Sequence, residues 1–150
     1  MYRREFRKSD YDMADGPAKT ALIKLLTNRG HTILNDKETY KADIISKKNG
    51  LVYANEGELK KAWKAGEDYK YPDVRIAQRK CKLLKEHAHQ VLNFYVFRAD
   101  FKAAWRIKDT SLKEERLAGV KSWKVDPREL FYVVPVEECE LVYVNGEDNA

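Results

Sequence analysis

Lys47-Lys48-Asn49-Gly50 lies between two short apolar runs, and that juxtaposition limits the local fold more than any other stretch of the chain. Asn-Gly is the strongest short-range signal for a β-hairpin, because both residues tolerate the positive φ of a tight turn. The run before the turn, Ala42 to Ile45, carries Asp43. The run after it starts at Leu51 and ends in Glu58-Leu59-Lys60. Two antiparallel strands follow, with Lys48 paired to Leu51. Side chains alternate along a strand, so Glu56, Glu58 and Lys60 share a face. Counting outward from the turn sets Asp43 opposite Glu56 on that face. The hairpin is therefore expected to gather two or three carboxylates and one ammonium at a point.

Such a set has a chemical use. Magnesium takes oxygen ligands, usually one or two carboxylates with water and substrate phosphate. A bound cation lowers the pKa of a coordinated water and polarises a phosphoryl oxygen. A neighbouring lysine orients the nucleophile or stabilises charge developing on phosphate. The competing reading is a solvated hairpin in a chain rich in charge.

A helix, then an aspartate, then acid-x-Lys at the end of a strand, then a basic helix resembles the PD-(D/E)XK nuclease superfamily. Its members include restriction endonucleases, archaeal Holliday-junction resolvases and some intron-encoded homing endonucleases. The resemblance covers roughly residues 14–98, with Asp43 as the superfamily aspartate, Ala42 where a proline is often found, and Glu58-x-Lys60 as acid-x-Lys. It implies an α/β (α+β) fold, a central mixed β-sheet flanked by helices in a restriction-endonuclease-like core. It also implies that Asp43 and Glu58 hold Mg2+, with Mn2+ as a substitute, while Lys60 steers water or stabilises the transition state. Gln78 falls where some relatives carry a polar residue near the metal. The glutamate often found on the first helix corresponds here to Lys19. A protonated lysine does not ligate metal, so Asp15 or Glu56 supplies that oxygen or the site is weakened.

At 150 residues the chain suits one domain, read as 14–145 between a basic arm over 1–13 and an acidic tail over 146–150. A hydrophobic share of 43% is enough for a core, and the formal charge of +5 favours an anionic partner. Cys81 and Cys139 lack metal or redox spacing and read as thiols of a reducing compartment. There is no signal-peptide pattern and no run near the ~20 apolar residues of a membrane span, so a cytoplasmic location is expected.

Along the chain, Asp15 reads as an N-cap with Gly16-Pro17 opening a helix that ends at Arg29, capped by Gly30. Ala18, Ala21, Leu22, Leu25 and Leu26 form its apolar stripe. His31 to Leu34 reads as a strand with a surface histidine. Pro72 and Asp73 are expected to start a second helix over Val74–Glu86, with Ile76, Leu83 and Leu84 apolar. Arg75, Arg79, Lys80 and Lys82 give that helix a basic side suited to phosphate. His87-x-His89 lacks a third ligand for zinc. Val91 to Arg98 reads as the central buried strand, and Asp100 to Ile107 as an edge strand or bend with Trp105 packed. Ser111 to Leu117 has helical character. Lys113, Arg116, Lys121 and Lys124 make residues 108–128 a candidate DNA-contacting region, with Trp123 assigned to the core. Arg128–Pro135, read as a strand or a short helix leading into one, and a last strand over Cys139–Val144 complete a sheet of five or six strands with a helix on each side.

The expected function is a Mg2+-dependent endonuclease that hydrolyses duplex or branched DNA, of homing or junction-resolving type. One site per chain and two strands to cut call for a homo-oligomer, a dimer or tetramer. The alternative is a DNA-binding module on a nuclease scaffold with weakened catalysis, for which Lys19 is the sequence feature. A charged protein-interaction domain is a third reading, marked by an absence of salt-dependent DNA binding.

Overall fold

A computed structural model describes residues 8–35, 43–81, 91–119 and 129–146. Among these residues one α-helix, α1 (Lys8–Asn28), is followed by nine strands: β1 (Thr32–Asn35), β2 (Ile44–Lys48), β3 (Leu51–Leu59), β4 (Asp73–Ala77), β5 (Val91–Phe97), β6 (Ala103–Lys108), β7 (Leu117–Gly119), β8 (Leu130–Pro135) and β9 (Glu140–Tyr143). Six of them form a mixed sheet in the order β1-β2-β3-β5-β6-β9, and the other three form a second sheet, β4-β8-β7. The expected α+β class with a mixed-sheet core is the observed one.

The hairpin has the expected register. Lys48 pairs with Leu51 and Ile44 with Asn55. Asn49 (φ 51°) and Gly50 (φ 80°) both have positive φ, as a two-residue type I′ turn requires. β3 then runs parallel to β5, from Tyr53↔Val91 to Leu59↔Phe97. A parallel pair needs a long crossover, and here the crossover contributes β4 to the second sheet.

β5 is buried on both faces, which explains its nearly uninterrupted apolar sequence. Leu92, Phe94 and Val96 pack with Val74, Ile76, Tyr132 and Val134 of the second sheet. Tyr95 and Phe97 face the other way and pack with Ala21, Leu22, Leu25 and Leu26 of α1. The sheet is therefore covered by α1 on one side and by three strands on the other. The stripe read from sequence is the buried face of α1.

Four elements differ from the sequence reading. The helix begins at Lys8, so Asp15 lies within it and is not its N-cap, and part of the expected arm is helical. Pro17 lies inside the helix. It offers no N–H to the preceding turn, while the Thr20 hydroxyl donates to the Gly16 carbonyl at 3.0 Å. The C-terminus is as expected: Gly30 has φ 89°, and the His31 N–H donates to Leu26 O in a Schellman closure. Of the helix expected over 74–86, the described part is instead strand β4, followed by a 3-10 turn, Gln78–Lys80, and residues 82–86 lie outside the described residues. Val74 and Ile76 are buried while Arg75 between them is exposed, a two-residue period. β6 is interior, between β5 and β9, rather than an edge. Ser111–Leu117 is not an α-helix: Ser111 ends a 3-10 turn, Asp109–Ser111, and a second, Glu114–Arg116, leads into β7.

Gly57 shows how closely α1 approaches the sheet. A Cβ there would meet Leu22 Cδ2 and Phe97 Cε2, each at 3.3 Å. Gly57→Val is expected to lower stability by about 1–3 kcal/mol through overpacking, read as a lower midpoint in urea denaturation. An unchanged midpoint would show that α1 is not seated against β3 in this way.

Candidate functional site

Ala54 faces the second sheet and Gly57 faces α1, so the pleat directs Glu56 and Glu58 toward the second sheet. Asp43 immediately precedes β2, across from Glu56 by extension of the hairpin register. Its Oδ2 accepts the Gly57 N–H at 2.9 Å, which ties the aspartate to the strand that carries both glutamates. Asp43, Glu56 and Glu58 line one cleft of about 410 Å³, with Lys61, Arg79 and Lys80 among its other walls. The three carboxylates expected to converge therefore share one cleft with cations around them.

Lys80 Nζ donates to Glu58 Oε2 at 2.9 Å. Arg79 pairs with Glu129 across the second sheet. Lys60 follows the last residue of β3, and its N–H donates to Phe97 O at 2.9 Å, continuing the ladder beyond Glu58. Its ammonium lies 5.1 Å from the centroid of the Tyr71 ring. Burial, then the charge of Arg75, hold Lys60 below the usual ammonium range, while Glu58 and Asp73 oppose that shift. Lys60 thus sits beside the cleft rather than in its wall. Behind it, Trp63 is buried and stacks on Trp105 at 6.0 Å, with Tyr69 edge-on to both.

The remaining expected positions divide clearly. Gln78 is exposed on the 3-10 turn and does not line the cleft. Lys19 is half-buried on α1, next to the cleft residue Ala18. The Asp15 side chain lies outside the described set. Arg75 is exposed and pairs with Asp73 at 3.3 Å. Arg116 makes a two-pronged pair with Glu138, and Lys113 is exposed nearby. Lys82, His87, His89, Lys121, Trp123 and Lys124 lie outside the described residues.

Sequence reasoning missed the contacts that β4 brings. Lys61 in the cleft wall, Tyr71 beneath Lys60, and the Glu58–Lys80 pair all follow from the crossover. The Val74-Arg75-Ile76 alternation was the signal for it.

Among the described residues, no three or more His, Cys, Asp or Glu side chains are grouped as a metal cage. Magnesium does not need one, since one or two carboxylates with water suffice. Hard carboxylate oxygens, rather than thiolates, are what this cleft offers. Burial, reinforced by Glu58 and Glu56, pushes the Cys81 thiol up to about 12, and burial raises Cys139 similarly, so both stay protonated. The donor set fits a hard divalent cation and not a soft one.

On the α1 face of the hairpin, Ser46 and Asn55 are fully buried. Asn55 Nδ2 donates to Ser46 Oγ at 3.0 Å, and Ser46 Oγ shares a 2.8 Å hydrogen bond with His31 Nδ1. Burial, with Lys48, Arg29 and Arg106 nearby, lowers His31 to about 4. An unfolded histidine titrates near 6.5, so the unfolded chain binds the extra proton first as pH falls. Stability is then fully present above ~6.5 and declines toward pH 4, by about 1–2 kcal/mol after solvent screening. His31→Asn is expected to flatten this slope in urea denaturation between pH 4 and 7. An identical slope in both proteins would rule His31 out as its source.

Comparison of the chain with protein-family models, curated proteins and solved structures gives no match in any of the three. Among the described residues, no helix is long and apolar enough to cross a membrane.

Proposed function

We propose that the protein is a divalent-metal-dependent DNA endonuclease acting on duplex or branched DNA. The observation that carries this reading is the hairpin register: Asp43, Glu56 and Glu58 share one cleft, with Lys60 two residues beyond Glu58 at the strand end. The similarity to PD-(D/E)XK nucleases noted from sequence rests on the same residues. Asp43 and Glu58 are the residues that would hold Mg2+, or Mn2+ in its stead. That ion supplies a more acidic water and a polarised phosphoryl oxygen.

The chain's own groups do the rest. Lys60 is half-buried at the end of β3, its backbone fixed by the Phe97 carbonyl. With its side chain swung off the Tyr71 ring toward the cleft, it would orient the attacking water and offset charge on the scissile phosphate. Lys61, Arg79 and Lys80 border the carboxylates and suit the phosphates on either side of the scissile bond. Cutting both strands requires two such sites, so a homodimer or higher symmetric assembly is part of the proposal.

The test is incubation of supercoiled plasmid and a four-way junction with Mg2+ or Mn2+, beside Asp43→Asn and Lys60→Ala. Cleavage by wild type and its loss in both variants supports the reading. Cleavage that persists in both variants would show that the chemistry lies elsewhere.

A second reading is a DNA-binding module on the same scaffold without hydrolysis. The Glu58–Lys80 pair favours it, because a cation of the chain already engages the principal metal ligand, as does Lys19 on α1. That protein would bind DNA with a steep salt dependence and cut neither substrate with either metal.

A further inference from the structure

We propose that Lys80 is a tethered competitor for the divalent cation: its ammonium engages Glu58 until metal binds, then moves to a DNA phosphate. This inference rests on the nuclease reading of the cleft and adds an exchange step to it.

The contact is specific. Lys80 Nζ reaches Glu58 Oε2 at 2.9 Å across 22 positions of sequence. The backbone of Lys80 is firmly set. It closes the 3-10 turn that follows β4, and the Cys81 N–H donates to Gln78 O at 3.0 Å. Cys81 is buried, and its thiol donates to Ala77 O at 3.4 Å. Ala77 in turn pairs with Phe131 at the end of the β4–β8 ladder. A fixed stem with a long flexible side chain delivers the ammonium to one carboxylate without immobilising it.

The neighbouring cations are engaged differently. Arg79 pairs with Glu129, and Lys60 lies over Tyr71. Both partners of the Lys80 pair keep access to water, at 47% and 27% side-chain exposure. A pair this exposed is weak, so a divalent ion among several carboxylates displaces it readily. The released ammonium stays within its tether of the cleft, where it meets the backbone phosphate of bound DNA. The exchange is ionic, with no covalent bond made or broken.

The exchange predicts opposite effects of one substitution on two ligands. Lys80→Met retains the apolar stem and removes the charge. Mn2+ binding, followed by isothermal titration calorimetry, is expected to be about two- to five-fold tighter in Lys80→Met than in wild type. DNA binding is measured with Ca2+ present, to limit hydrolysis, and again in EDTA. With Ca2+, the variant is expected to lose about one unit of salt slope, and in EDTA none. Acetylation of Lys80 by acetic anhydride, read by mass spectrometry, should rise in wild type when Mn2+ is added.

Equal Mn2+ affinity in the two proteins would overturn the exchange while leaving the metal site standing. A salt-slope loss that is the same with and without Ca2+ would overturn it too, leaving Lys80 as a plain phosphate contact. Failure of both proteins to bind Mn2+ would instead remove the metal reading of the cleft, and the exchange with it.

Discussion

Under the proposed nuclease reading, Asp43→Asn is expected to lower Mg2+-dependent plasmid cleavage by about a hundred-fold or more while leaving the protein folded. Asparagine is the informative replacement. Its amide oxygen retains an acceptor for the Gly57 N–H that Asp43 now receives at 2.9 Å, so the start of the hairpin is preserved. What it removes is the negative charge. A metal ion contributes several kcal/mol of transition-state stabilisation, and each ~1.4 kcal/mol is ten-fold in rate. Circular dichroism would establish folding, and plasmid nicking would give the rate. A folded Asp43→Asn that cuts at the wild-type rate would remove Asp43 from the chemistry.

Phe97→Ala is expected to have the largest effect on stability, a loss of about 3–5 kcal/mol in urea denaturation. Phe97 is fully buried at the end of β5 and belongs to the cluster that joins α1 to the large sheet. Its ring lies against the position where Gly57 lacks a side chain, so truncation opens space between helix and strand. Its carbonyl accepts the Lys60 N–H, and that bond survives because the main chain is unchanged. Under the proposed reading the variant should therefore keep the wild-type cleavage rate at low temperature, where it is still folded. A loss below ~1 kcal/mol would mean that the helix does not depend on this face of β5.

Much of the fold could be read locally. Asn49-Gly50 declared the hairpin because its dihedral demands exclude most other residues. The α1 stripe and the apolar run of β5 were legible because each is long enough to display its period. β4 was not. It has only five residues, and Ile76, Leu83 and Leu84 fit a helical spacing as well as Val74 and Ile76 fit a strand. Its pairing with β8, far downstream, decides the matter, and no local signal reports that partner. The helix start was misjudged because Gly16-Pro17 suits a first turn, whereas here it lies within a longer helix.

The candidate site divides along the same line. Asp43, Glu56 and Glu58 belong to the hairpin, and their shared side followed from counting. Arg79 and Lys80 were singled out as basic, but on a helix side that does not form. Their actual setting, on a turn facing Glu58, depends on the crossover. Gln78 was carried over from the resemblance, and the 3-10 turn leaves it in solvent.

The two-residue turn at Asn49-Gly50 also bears on how this chain tolerates insertions and deletions. Glu56 and Glu58 of β3 supply the cleft's carboxylates, whereas Gly57 between them meets the helix. One extra residue in the turn, if the second strand kept its place, would move the first strand half a pleat along. Asp43 would then swing toward Leu22 while Ile44 turned to the cleft side. Loops elsewhere on the surface can lengthen gradually over generations, but this one admits no odd increment without losing the grouped carboxylates and the packing together.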